Sequence, residues 1–266
     1  MTLLDQYRSG DCQNVWRQIV DEGRTADDEE AVAVARETVI RARDNLQIIY
    51  DRLCALGYEF AEPDMAFVTT TPDKAADEIA AIEAHYGPLP GLARLWYSHV
   101  SSVNFAQAPT QCRDATHELR NLGWFPLAIY HPLKRCHEEG LRKHAEYVEW
   151  YQGMLSTKID DFDAIEYLEQ SCKTPDESAR FLPLGSYASN NENKGFMLPC
   201  DLMDAEFFND GEVTYFNEEL RHVIMSGCFP NLSCRLHHER LPEFMKFGHP
   251  DPESLHASLK SGLQPI

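Results

Sequence analysis

Long hydrophobic runs are missing from this chain. No apolar stretch approaches the ~18 residues that a membrane-crossing helix needs, so no span is expected. The opening "MTLLDQYRSGDC" has no apolar centre of the kind a secretory signal carries, and the expected compartment is the cytoplasm. Paired cysteines are missing too. The eight cysteines (Cys12, Cys54, Cys112, Cys136, Cys172, Cys200, Cys228 and Cys234) include no Cys-x-x-Cys pair, and in such a compartment they are expected to stay reduced. Positive charge is scarce: 24 Lys and Arg stand against 43 Asp and Glu, a net charge of −19. That balance argues against nucleic acid or an anionic membrane as a direct partner, and it would draw basic partners inward. The chain also has no P-loop, no Gly-x-Gly-x-x-Gly after a strand, no His-Glu-x-x-His and no Gly-x-Ser-x-Gly. No cofactor is implied.

What is present is an ordinary globular composition, 43% hydrophobic and 25% charged. A chain of 266 residues buries roughly 70–75% of its unfolded surface, enough for a core without metals or disulfides. The clearest periodicity is a seam of Val32, Ala35, Val39, Ala42, Leu46, Ile49, Leu53 and Leu56, alternately three and four residues apart. It predicts a long helix over residues 27–56, capped by Thr25 and closed by a left-handed Gly57. The seam packs either on the earlier run around Trp16, Ile19 and Val20 or on a second copy, which would make residues 32–56 a homodimer interface.

The next helix opens at "TTTPDKAADEI", with Thr71 as its cap and Pro72 in its first turn. Ala75, Ile79, Ile82 and Tyr86 form its apolar stripe, and Gly87 ends it. Pro88 and Pro90 push Gly87 and Leu89 into extended backbone. Pro90 then opens a further helix that buries Leu92, Leu95, Trp96 and His99 or Val100. The segment reads as a rigid corner with Leu89 plugged between two helices. Beyond it, "VNFA", "WFPLAIYH", "ARFLPLGSYA" and "GFMLP" read as strands, with "SNNENKG" as a polar loop. Residues 133–155 are expected to be helical. "TYFNEELRHVIMSG" predicts an amphipathic helix with Phe216, Leu220, Val223 and Ile224 on one face and Gly227 past its end. The tail from His249, rich in proline and serine, is expected to be loosely attached.

"IAAIEAHYGPLPGLARLWYSHVSSVNF" resembles the opening of the SUKH superfamily: an Ile-x-x-Ile-Glu helix, a glycine, Leu-Pro, an aromatic second helix and a first strand. "ARFLPLGSYASNNENKGFML" looks like that superfamily's later strand pair. "RARDNLQIIYDRLCALGYEF" and the closing "LPCDLMDAEFF" to "GCFPNL" are similar to a group of uncharacterised bacterial proteins. Ser101 and Ser102 depart from the pattern, standing where a Gly-rich turn is expected. The resemblance implies an α+β fold: a mixed or antiparallel sheet with helices on one face, plus an N-terminal helical layer. The expected division is a helical extension over 1–62, a SUKH-like domain over 63–248 and the tail over 249–266. The resemblance also implies binding rather than catalysis, since bacterial members commonly act as immunity proteins that neutralise toxins, many of them nucleases.

For a partner surface, the candidate is the acidic stretch Asp201, Asp204, Glu206, Asp210 and Glu212, with Phe207 and Phe208 as aromatic anchors. The competing account is a solvated loop whose phenylalanines belong to the core. Cys228, Cys234, His237 and His238 offer four zinc-type donors, although adjacent histidines point in different directions. Buried cysteines and surface histidines explain them as well. Cys12 lies at the start of a helix, where the dipole could lower a thiol pKa for a cysteine hydrolase or transferase. Glu83, His85 and His99 could form an acid–base set, with Glu83 expected at the surface. The expectation that follows is a non-enzymatic cytoplasmic immunity protein that occludes a basic toxin; the alternatives are the cysteine enzyme and a self-associating scaffold.

Overall fold

The computed structural model describes residues 1–58, 60, 63–105, 128–129, 180–186, 193–209, 212–228 and 252–266. The helix expected over 133–155 and most of "WFPLAIYH" lie outside the described residues, as do Asp210, Cys234, His237 and His238.

Thr2 and Asp5 form a capping box that starts α1 (Leu3–Arg8). α2 (Cys12–Asp21) turns Val15, Trp16 and Ile19 inward. α3 (Glu29–Ala55) is the long helix, 27 residues and about 40 Å. Its cap is Asp28 rather than Thr25: the Asp28 carboxylate accepts from the Ala31 N–H at 2.9 Å. Thr25 instead forms an isolated bridge with Leu202. Gly57 follows at φ +75°, the left-handed conformation that an exit of this kind favours.

A 3₁₀ turn (Pro63–Met65) leads into β1 (Phe67–Thr69), then α4 (Pro72–Tyr86), α5 (Gly91–His99), β2 (Val100–Asn104) and β3 (Ala128–Ile129). The second half holds β4 (Arg180–Ser186), β5 (Asn193–Leu198), β6 (Glu206–Asn209), β7 (Glu212–Tyr215), α6 (Phe216–Met225) and α7 (Pro252–Lys260). The fold class is α+β, as expected. Among the described residues the strands form two sheets, in the orders β1-β2-β3 and β4-β5-β6-β7, and the pairings are antiparallel. Among the described residues no helix is long and apolar enough to cross a membrane.

α3 is the central pillar. From Ala35 to Leu53 its seam residues are buried, with Val32 and Leu56 half-buried at the ends, and α3 packs against α1, α5, α6 and α7. The intrachain alternative therefore holds, and the seam is not available as a homodimer face. Trp16 donates its indole N–H to Thr38 Oγ1 at 3.1 Å, and Thr38 donates in turn to the Val34 carbonyl at 3.0 Å, so both polar groups in this contact are satisfied. Phe216 joins helices to sheet: its ring meets Phe196 at 5.0 Å, Phe207 at 5.6 Å and Trp96 at 6.2 Å.

The tail corrects the expectation of loose attachment. Leu255, Leu259 and Ile266 are buried in the same core cluster as Leu3 and Trp16, so neither the N-terminal helices nor the tail has a core of its own. Arg52 on α3 donates to the Leu259 carbonyl at 3.0 Å, at the end of α7. Proline and serine frequency marks a loop only where nothing else holds the backbone, and here α3 holds it.

Candidate functional site

The corner between α4 and α5 is a docking point for a strap, residues 199–205. α4 ends at Gly87 (φ +90°), where an added Cβ would stand 2.8 Å from the Pro199 Cβ. Leu89 is the buried plug expected from the sequence. Glu83 is not a free surface acid: its Oε1 accepts from the Leu89 N–H at 3.1 Å and from Arg94 Nη2 at 2.6 Å, fixing the corner from within. Pro90 gives α5 no side-chain cap. The strap supplies it instead, because the Gly91 and Leu92 N–H groups donate to the carbonyls of Leu202 (3.0 Å) and Met203 (2.7 Å). On its other side the strap meets the turn before α3, where Met203 N–H reaches the Arg24 carbonyl at 2.7 Å and Ala26 N–H reaches the Asp201 carbonyl at 2.8 Å.

The candidate acidic residues separate along this strap and the hairpin that follows. Asp201 is exposed; Asp204 is buried. The Asp204 carboxylate accepts from the Ala205 N–H at 3.0 Å, from the Asn217 N–H at 3.3 Å and from the Asn217 side-chain amide. It thus caps α6 from a distant segment, since the helix has no cap from Tyr215. Burial pushes its pKa up from 3.8 to about 7, against the lowering effect of these hydrogen bonds. Glu206 is exposed and stands opposite Tyr215 in the β6–β7 register. Phe207 is a core residue packed on Phe196 and Phe216, so it is no anchor for a partner. Phe208 and Glu212 are placed by register opposite Val213 and Asn209.

Three residues that the sequence reading missed join this face. Glu218, in the first turn of α6, accepts from Thr214 Oγ1 at 2.9 Å. Tyr215, opposite Glu206 in the register, has its phenol pKa raised by burial first, then by the charges of Glu206, Asp204, Asp21 and Glu218. The third is Asp21, the last residue of α2, which no sequence pattern connects to β7. Among the described residues the exposed large hydrophobics are Met1, Leu202 (40%) and Val213 (55%); Leu202 follows Asp201 in the strap and Val213 shares β7 with Tyr215.

Of the other candidates, Cys234, His237 and His238 lie outside the described residues, and those that are described stand apart. Cys12 does start α2, but its Sγ is buried, 3.5 Å from the Tyr7 carbonyl and 3.8 Å from the Pro265 carbonyl. Burial raises its pKa, the opposite of what a nucleophilic thiolate needs. Cys228 is buried, and burial raises its thiol pKa too. No cluster of three or more metal-type side chains occurs among the described residues. His99 sits at the end of α5 with its pKa pushed down by burial and by Arg36 and Arg43, while Glu83 is engaged with Leu89 and Arg94. No protein-family model matches the chain, and no curated protein or solved structure is significantly similar to it.

Proposed function

We propose that this chain is a non-enzymatic cytoplasmic binding protein, an immunity protein of SUKH type that occludes a basic toxin through the face formed by the strap, the β6–β7 hairpin and the start of α6. The observation that carries the reading is the pairing of charge with apolar surface: exposed Glu206 stands opposite Tyr215 and, with Glu218, raises its pKa, while Asp201 and Leu202 on the strap and Val213 on β7 are exposed. Such a face attracts a cationic partner over long range and gives it apolar area to settle on. Catalysis has weaker support, because Cys12 is buried and its thiol pKa is raised. Self-association through α3 has none, since its seam is filled from within the chain.

The test is co-purification with the products of neighbouring genes at low and high salt, followed by binding kinetics. A basic partner that is lost at high salt, and whose association rate falls about tenfold with Glu206→Lys and Glu218→Lys, supports the reading. A partner indifferent to both changes overturns the proposed face, and turnover of a substrate by the purified chain overturns the function.

A further inference from the structure

Asn45 is a polar residue in the middle of the apolar seam of α3, wholly buried. Its side-chain amide faces one residue of the tail and answers both of that residue's backbone groups. Asn45 Nδ2 donates to the Gln264 carbonyl at 2.8 Å, and the Gln264 N–H donates to Asn45 Oδ1 at 2.8 Å. The pairing has the sense of a strand ladder and does not involve the Gln264 side chain, which belongs to an exposed residue. The next carbonyl, of Pro265, accepts from Arg41 Nη1 at 3.1 Å, and the Cys12 thiol also points at it. Proline has no N–H, and none is needed there. Ile266 is then buried, while Leu263 is half-buried at the other end.

The donors are held in place by the helices. Arg41 pairs with Glu37 at 3.0 Å and lies 4.8 Å above the Tyr7 ring, and Glu37 is also held by Arg8 at 2.8 Å. Two helices, α1 and α3, thus preorganise one buried amide and one guanidinium towards a single extended segment. Preorganisation is what gives a short peptide useful affinity, because the receptor orders nothing on binding.

We infer that the groove formed by α3 and the α1–α2 turn is a peptide-binding site that reads backbone. It takes an extended segment through both main-chain groups of one residue and an apolar side chain two residues further on. It is filled here in cis by residues 263–266, and it accepts an equivalent segment from another molecule when that one is released. Tethering gives the cis segment a local concentration on the order of millimolar, so a free peptide competes poorly until release.

The probe is a fluorescent peptide of residues 261–266, Ser-Gly-Leu-Gln-Pro-Ile, added to the full chain. Gln264→Pro with Ile266→Asp removes the N–H that Asn45 accepts and puts a charge in the buried position, freeing the groove. That variant should bind the peptide saturably, the unmodified chain far more weakly, and Asn45→Ala added to the released variant should weaken binding roughly 10- to 100-fold. A folded released variant that binds no peptide, or binds it equally well without Asn45, overturns the inference. Hydrogen exchange on the unmodified chain covers the case in which that variant does not fold. Millimolar peptide should accelerate exchange of the Gln264 amide, by holding the groove while the cis segment is out, and unchanged exchange overturns the inference.

Discussion

Asp204 carries the main residue-scale consequence. A carboxyl group is sealed from water at the point where the strap meets α6, and burial lifts its pKa to about 7. Between roughly pH 4 and pH 7 the native state keeps a proton that the unfolded chain has released. Stability is therefore highest on the acid side of that window. This group's contribution falls as pH rises through it, by on the order of a few kcal/mol in total, and is level above it. Asp204→Asn keeps the shape without the ionisation, so its unfolding free energy should vary less between pH 4 and pH 7 than that of the parent. Denaturant titrations at several pH values measure this, and parallel curves for the two proteins would refute it. An aspartate two residues before a strand pair reads in the sequence as one more surface acid. Its burial depends on Asn217, thirteen residues later.

At the scale of elements, the corner between α4 and α5 explains why a chain would place two prolines and two glycines within five residues. The prolines set the angle, Gly87 allows a left-handed turn against Pro199, and Gly91 leaves room for Met203, whose Sδ would lie 2.8 Å from an added Cβ. Glu83 is the internal brace. It satisfies the N–H of buried Leu89 as well as pairing with Arg94, whereas Arg94 is 38% exposed and its ion pair is accordingly weak. Glu83→Ala should cost about 1–3 kcal/mol by orphaning the Leu89 N–H, and Arg94→Ala no more than about 1 kcal/mol. Equal losses in chemical denaturation would show that the ion pair, not the backbone bond, is what matters. The sharpness of this corner was legible in "YGPLPG". Its partner was not, because the strap lies more than a hundred residues away.

For the whole molecule, the arrangement is a long helix wrapped on several sides by distant parts of its own chain. Leu46→Ala should destabilise the fold by about 2–5 kcal/mol, as expected for a leucine in a filled core. Because the seam is closed within one chain, both parent and variant should unfold at a midpoint independent of protein concentration. A midpoint that rises with concentration would mean that a second copy contributes to the fold. The same wrapping sets the acidic face. Asp21 comes from the second helix, Asp201 from the strap, Glu206 from β6 and Glu218 from α6, so no single stretch of sequence contains it.

The sequence by itself determined the elements whose cause is local. The three-and-four spacing from Val32 to Leu56, Pro72 in the first turn of α4, Gly57 and Gly87 as helix ends, and the apolar face of α6 act through neighbours a few residues apart. It also determined the excess of negative charge. Tertiary structure alone decided which of those charges face water, that Phe207 is core and Asp204 a buried cap, and that a proline- and serine-bearing tail is clamped by Asn45 and Arg41. Each of these outcomes depends on pairing between groups far apart in the chain. Burial and hydrogen bonding there follow from what the fold brings opposite, not from the residue's own type or its near neighbours.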